Sequence, residues 1–298
     1  MPPKARLLMC RPDHFAVTYQ INPWMDPAAW ARDDRALALA SHGEWRRLHG
    51  RLAALGAAIE LVPPAPGLPD LVFTANAAVM LDGKALLARF RHPERRREEA
   101  HFERAFHALK ARGLVDTVEA LPEGVTLEGA GDCVWDRERQ LFWMGYGPRS
   151  DEDARHAVEN AFNVDVVALE LADPRFYHMD TTLAPLPRGE VMYFPGGFTA
   201  AGLDEIHARV EPHRRIELEE ADATALAANA VCLGDSIVLS RCSDGLRRRL
   251  EDGGYDVVET PLGSFHRGGG SAFCLTLLLD RRSAARETAA QPTARRVG

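Results

Sequence analysis

A hairpin, a helix and a strand follow one another four times along this chain, and that recurrence limits the available folds more than any other feature. Residues 79–81 and 85–88 around the turn Asp82-Gly83 read as the first hairpin, with a charged helix over 93–112 and a strand at 115–119. The second unit has strands at 133–135 and 141–144, a helix at 151–162 and a strand at 164–169. The third has strands at 182–185 and 191–194, a helix at 203–210 and a strand at 215–218; the fourth has strands at 230–233 and 237–240, a helix at 244–253 and a strand at 256–259. The turns recur at intervals of roughly 50 residues, within the range of repeat architectures.

A fifth unit is then short of one hairpin, and the two chain ends can supply it. A strand at 6–10 pairs with an apolar strand at 272–279, while a helix over 28–55, with a break at Ser41-His42-Gly43, and a strand at 57–62 complete the unit. Joining both ends in one unit closes an α/β ring of five blades and removes free sheet edges. An open layered α/β sheet is the alternative. Residues 1–280 are expected to form this single domain, and 281–298, poor in apolar residues, to form a disordered tail.

Composition narrows the partners. With 46% hydrophobic and 27% charged residues the chain matches a soluble globular protein with a large core. The net charge of −7 is spread over both halves, so no nucleic-acid partner is expected. No apolar run approaches the roughly 20 residues that span a bilayer, and Met1-Pro2-Pro3-Lys4 leads into a strand without a signal-like segment, so a cytoplasmic location without membrane contact is expected. Cys10, Cys133, Cys232, Cys242 and Cys274 include no C-x-x-C pair, and the histidines are scattered; free thiols and no metal or other cofactor are expected. The partner is expected to be a small molecule, and assembly of several copies stays open.

Chemistry concentrates at segments flanking the hairpins. Gly268-Gly269-Gly270-Ser271-Ala272-Phe273-Cys274 places a thiol after a flexible backbone, at the start of the last strand. Asn22, Asn76, Glu128, Asp132, Arg149, His178 and Asp180 each lie in a glycine-rich or apolar setting at the same end of a ring. Singly, each has a plain structural explanation: a buried core cysteine, turn-forming Asn and Asp, a helix start at Ser150, a core histidine. Together, a thiol nucleophile, an imidazole that can protonate a leaving amine, and carboxylates suited to N–H donors favour carbon–nitrogen bond hydrolysis on a guanidine or amidine. Arg95 and Arg149 can hold a carboxylate at the far end of such a substrate.

At these residues the chain resembles the guanidine-modifying, or amidinotransferase, superfamily with the five-bladed pentein fold. The likeness rests on Glu128-Gly129-Ala130-Gly131-Asp132, then His178-Met179-Asp180, then Gly268 to Cys274 in that order. It is nearest to cyanobacterial arginine dihydrolase domains, through Ile21-Asn22-Pro23-Trp24-Met25, Phe73-Thr74-Ala75-Asn76-Ala77 and Arg175-Phe176-Tyr177-His178. The resemblance implies that Cys274 attacks the guanidinium carbon, His178 acts as acid and then base, Glu128 orients His178, and Asp180 binds guanidinium nitrogens. It implies that Asn22, Arg95 and Arg149 hold the amino-acid end and that the Gly268 backbone touches substrate. Asn76 stands where deiminases of the superfamily carry aspartate. A neutral amide there suits the ureido oxygen of citrulline, so a second hydrolysis giving ornithine, carbon dioxide and two ammonia is expected. Dimethylarginine dimethylaminohydrolase and arginine deiminase activities are the alternatives, an amidinotransferase is a further one, and a non-catalytic binding ring is the reading from another class.

Overall fold

In the computed structural model, which describes residues 5–286, each expected unit forms its own sheet. The chain opens with β1 (Arg6–Cys10), α1 (Pro27–Arg32), α2 (Asp34–Ala54) and β2 (Ala58–Val62). Next come β3 (Ala78–Leu81), β4 (Lys84–Leu87), α3 (Pro93–Ala111) and β5 (Thr117–Glu119), then β6 (Cys133–Asp136), β7 (Leu141–Tyr146), α4 (Ala154–Phe162) and β8 (Asp165–Glu170). The third unit is β9 (Leu183–Pro185), β10 (Val191–Tyr193), α5 (Ala200–Arg209) and β11 (Arg215–Glu217), followed by a short α6 (Glu220–Thr224). The fourth is β12 (Val231–Leu233), β13 (Ser236–Leu239), α7 (Asp244–Asp252) and β14 (Asp256–Glu259), and the described chain finishes with α8 (Gly263–His266) and β15 (Leu277–Leu278).

Every sheet repeats one rule: the hairpin pair is antiparallel, and the strand after the helix adds in parallel. In the second blade Ala85 of β4 faces Met80 of β3 on one side and Val118 of β5 on the other. The first blade obeys the same rule with strands from both ends. β15 pairs antiparallel with β1, Leu7 opposite Leu278, while β2 joins β1 in parallel, Leu7 opposite Ile59. The result is the five-bladed pentein propeller. Its helices pack apolar stripes on the sheets, as Phe102, Phe106 and Leu109 of α3 do against Ala78, Met80 and Ala85.

Three local expectations change. The break expected at Ser41-His42-Gly43 falls instead at Asp33, where φ −132° and ψ 28° are non-helical. Ser41, Trp45, Leu48 and Leu52 form one buried stripe running through the glycine, and that packing outweighs a helical glycine's cost of about 1 kcal/mol. The strand expected over 272–279 shrinks to Leu277–Leu278, because 271–276 coils into a turn in which Leu275 N donates to Ser271 O (3.2 Å) and Thr276 N to Phe273 O (2.9 Å). Cys274 therefore sits on a turn before the strand.

The expected tail, 281–298, is anchored at its start. Asp82 N donates to Arg281 O (2.9 Å), Ser283 gives its amide and hydroxyl to the Asp82 carboxylate (2.9 and 2.7 Å), and Ser283 is buried. Residues 287–298 of that expectation lie outside the described residues. No helix among the described residues is long and apolar enough to cross a membrane.

Candidate active site

The short turns that lead into the inner strands of the blades carry the polar residues. Counting back from each inner strand, Glu128 and His178 both stand five residues before β6 and β9, Asn76 and Asn229 two before β3 and β12, and Asp180 and Cys274 three before β9 and β15. Repetition of the blade thus delivers side chains of different chemistry to one end of the ring.

Cys274 is buried, and three contacts fix it. Its thiol donates to Asp180 Oδ2 (3.1 Å), Asn229 Nδ2 donates to its sulfur (3.0 Å), and its backbone N–H donates to Asn229 Oδ1 (3.1 Å). Burial pushes the thiol well above its usual pKa, and the Asp180 carboxylate adds to that. Burial also lifts Asp180 to about 7, against the opposing hydrogen bonds from Cys274 and Asn229. The second carboxylate oxygen of Asp180, Oδ1, has no hydrogen-bond partner among the described residues.

His178 pairs with Glu128 through Nε2 and Oε2 at 2.8 Å. Burial takes the imidazole down to about 4, while the carboxylate pulls the other way, so the ring is neutral at pH 7. Burial alone would raise Glu128, but Arg149 at 2.9 Å and His178 hold it well below the usual carboxylate range. Its other oxygen accepts from Arg91 N (3.1 Å), and its own N–H donates to Ser150 Oγ (3.0 Å). Ser150 Oγ in turn donates to Asp132 Oδ2. No hydrogen bond joins Cys274 to His178; both face one cavity, which leaves space between sulfur and imidazole.

That cavity, about 260 Å³ with its opening to solvent included, is lined by Asn22, Asn76, Arg95, Arg149, Gly268, His178 and Cys274 among others. Of the residues expected from the sequence, Glu128, Asp132 and Asp180 stand outside this lining: Glu128 backs the imidazole, Asp180 backs the thiol, and Asp132 is held by Ser150. Asn76 is held by both ends: Nδ2 donates to Glu128 O (3.1 Å), and Oδ1 accepts from Arg95 Nη1 (3.0 Å). A Cβ on Gly131 would lie 2.1 Å from Asn76 Nδ2, so the second glycine of the Glu128–Asp132 motif is a condition for seating that amide. Gly269, at φ +88°, accepts at its carbonyl from Tyr177 OH (2.8 Å), and a Cβ there would meet Asn22 Nδ2 at 2.7 Å. Asn22 donates to Gly268 O (3.1 Å).

The two arginines differ. Arg95 spends its fork on Glu98 (3.1 and 2.8 Å), Asp70 O (3.3 Å) and Asn76, and stacks on Phe90, which leaves one of five N–H groups unused. Arg149 gives one N–H each to Glu128 and Ile21 O (2.9 Å) and lies over Tyr177, so among the described residues most of its donors remain free. Asn229 was not singled out from the sequence. Its signal is the likeness of Ala228-Asn229-Ala230 to Ala75-Asn76-Ala77, each just before an inner strand. Among the described residues no group of three or more His, Cys, Asp or Glu is arranged to hold a metal ion.

A buried thiol, an imidazole–carboxylate pair and a neutral amide at one end of a five-bladed ring define the pentein-fold class of guanidine-modifying proteins. Within that class, the family profile described as N,N dimethylarginine dimethylhydrolase, eukaryotic, matches residues 11–279, and the chain belongs to that family. The bifunctional arginine dihydrolase/ornithine cyclodeaminase ArgZ of Synechocystis sp. is 42% identical over 273 residues, 91% of this chain; the chain spans 37% of that protein's length. The N(G),N(G)-dimethylarginine dimethylaminohydrolase of Mycobacterium tuberculosis is 36% identical over 93% of this chain and 86% of its own. A solved structure of the N-terminal domain of ArgZ bound to substrate, an arginine dihydrolase, matches with a TM-score of 0.86 at 39% identity, covering 94% of this chain and 99% of that one.

Proposed function

We propose that this protein is a cysteine-dependent hydrolase of the guanidine group of arginine, working without a cofactor in the cytoplasm, and that it cuts two carbon–nitrogen bonds in succession. The observation that carries the reading is the thiol and the imidazole facing one cavity, each with its own carboxylate behind it. In the free site the thiol is protonated and the imidazole neutral. A guanidinium brings the positive charge that stabilises thiolate, and His178 takes the thiol proton, its imidazolium stabilised by Glu128. Sulfur bonds to the guanidinium carbon, His178 returns the proton to the departing nitrogen, and ammonia leaves. His178 then deprotonates water, which displaces sulfur and gives citrulline.

Asn76 supports the second round. An ionised carboxylate in its place would repel the ureido oxygen, whereas an amide both donates and accepts. Citrulline plus water then gives ornithine, carbon dioxide and a second ammonia. Arg149, with donors to spare, is assigned to the substrate carboxylate together with Asn22 and the Gly268 carbonyl at the amino-acid end. Arg95 holds Asn76 in place, and Asp180, outside the cavity lining, holds the Cys274 thiol from behind instead of meeting the guanidinium as the resemblance implies. Incubation with arginine, with ornithine, citrulline and ammonia measured, is expected to give ornithine and two ammonia per arginine, and none with Cys274→Ser. Citrulline as end product leaves a deiminase, dimethylamine from dimethylarginine leaves a dimethylaminohydrolase, and full activity of Cys274→Ser ends the covalent reading.

A further inference from the structure

A second cavity runs along the axis of the ring on the far side of the thiol. Val134 and Trp135 of β6, Leu183 and Pro185 of β9, and Val231 and Cys232 of β12 wall it, so the inner strands themselves form its sides. It encloses about 600 Å³, its open mouth included. Trp135, Pro185, Cys232, Leu278 and Arg281 also line a depression on the outer face, so the axial cavity opens at the hairpin-turn end, opposite the substrate cavity.

Among the described residues, only two charged side chains break this apolar wall: Asp180 at the inner end and Arg281 toward the mouth. Arg281 does not dangle from a loose end. Its carbonyl accepts from Asp82 N, and Ser283 two residues on is pinned to the Asp82 carboxylate. Yet among the described residues its guanidinium makes no hydrogen bond and no ion pair, in contrast to Arg95 and Arg149, which are both bound to carboxylates. The neighbouring Asp280 turns its Oδ1 to Arg6 N (3.0 Å) instead. Burial pulls the Arg281 guanidinium down to about 10, and Cys133, Cys232 and Asp280 offset that only in part. An arginine fork matches a carboxylate, and apolar walls match a hydrocarbon body.

We infer that the axial cavity is a binding site for a small organic anion with an apolar body, of which a straight-chain monocarboxylate is the simplest form, its carboxylate on Arg281 and its chain along the inner strands. The ligand enters from the face opposite the substrate and ends behind Asp180, which touches the Cys274 sulfur. The site does not depend on the activity proposed above.

Calorimetric titration of the full chain with butanoate, hexanoate, hexylamine and hexanamide tests this. Hexanoate is expected to bind once per chain and more tightly than butanoate. The isosteric hexanamide and the oppositely charged hexylamine are expected to bind at least tenfold more weakly. Arg281→Met is expected to stay folded and to lose at least tenfold in hexanoate affinity, and Ala230→Leu, which fills the cavity, to lose binding altogether. Equal affinity for hexanoate and hexanamide in the wild-type protein, undiminished binding by Arg281→Met, or no saturable binding of hexanoate overturns the inference. The comparison of hexanoate with hexanamide decides the matter even where a variant does not fold.

Discussion

Replacing Glu128 by glutamine keeps the shape of the side chain and removes one negative charge from the centre of the site. In the proposed mechanism that charge acts when His178 is protonated, across a contact of 2.8 Å. Two unit charges about 4 Å apart at an effective dielectric constant of about 20 attract by about 4 kcal/mol. The amide oxygen keeps a hydrogen bond worth about 1 kcal/mol, so the imidazolium loses roughly 3 kcal/mol of stabilisation. At 1.36 kcal/mol per tenfold, kcat is expected to fall by about 10²-fold. The His178 pKa, already near 4, moves lower, because the one large influence raising it has gone. Ammonia release from arginine over about pH 5 to 9 measures the effect, with kcat and KM separated, since a group acting on proton transfer changes kcat. Arg149 loses an ionic partner in the same variant, so a thermal melt must accompany the kinetics. A folded glutamine variant within about threefold of the wild-type kcat would falsify the orienting role of Glu128.

Other expectations follow from the same geometry. Asn229→Ala leaves the Cys274 amide without its acceptor and the sulfur without a donor; a stability loss of about 1–3 kcal/mol in denaturant titration is expected, with a kcat/KM loss larger than that from any cavity-wall alanine, and wild-type kinetics would show that Asn229 does not position the thiol. Asn76→Asp places a carboxylate in the cavity; the ratio of ornithine to citrulline is expected to fall, and an unchanged ratio removes Asn76 from the second hydrolysis. Asp180 has a folded pKa of about 7, raised above its ordinary value of 3.8, so its contribution to stability is present in full below about pH 4 and lost as pH rises through 7. Asp180→Asn removes that dependence. Relative to wild type it is expected to gain about 4 kcal/mol between pH 4 and pH 8 in urea titrations, and a flat difference across that range refutes the shift.

The ring was legible because its turns are. Asp82-Gly83 and Gly234-Asp235 fix hairpins locally, and four hairpins spaced alike imply a fifth. The last strand was misread because Ala272, Phe273 and Leu275 are as apolar as a strand; only the backbone bonds from Ser271 to Thr276 show a turn. Cys274, His178 and Glu128 were found through their motifs. Asn229 was not, since one amide in an alanine run looks inert until the blade that holds Asn76 is laid over it. The anchoring of Arg281 and Ser283 was hidden for a further reason. It depends on Asp82, some 200 residues away, and no local pattern records such a contact.

Position within the blade explains why these particular residues meet. Three residues before the inner strands stand Ala75, Ala130, Asp180, Ala228 and Cys274, and all five are buried. Three are alanine. Where like positions of a ring converge toward its axis, five full-sized side chains do not fit, and close packing allows no empty alternative. The alanines leave the space in which Asp180 and Cys274, from the blade of β9 and from the blade shared by the chain ends, come within 3.1 Å of each other. Glu128 and His178, at another shared level of adjacent blades, meet in the same way at 2.8 Å. The two contacts lie on either side of the cavity, one setting the proton on sulfur and the other setting the proton on the imidazole. The chemistry of the site is therefore specified twice over: by which blades carry a reactive group at a given level, and by which blades carry alanine there to make room for it.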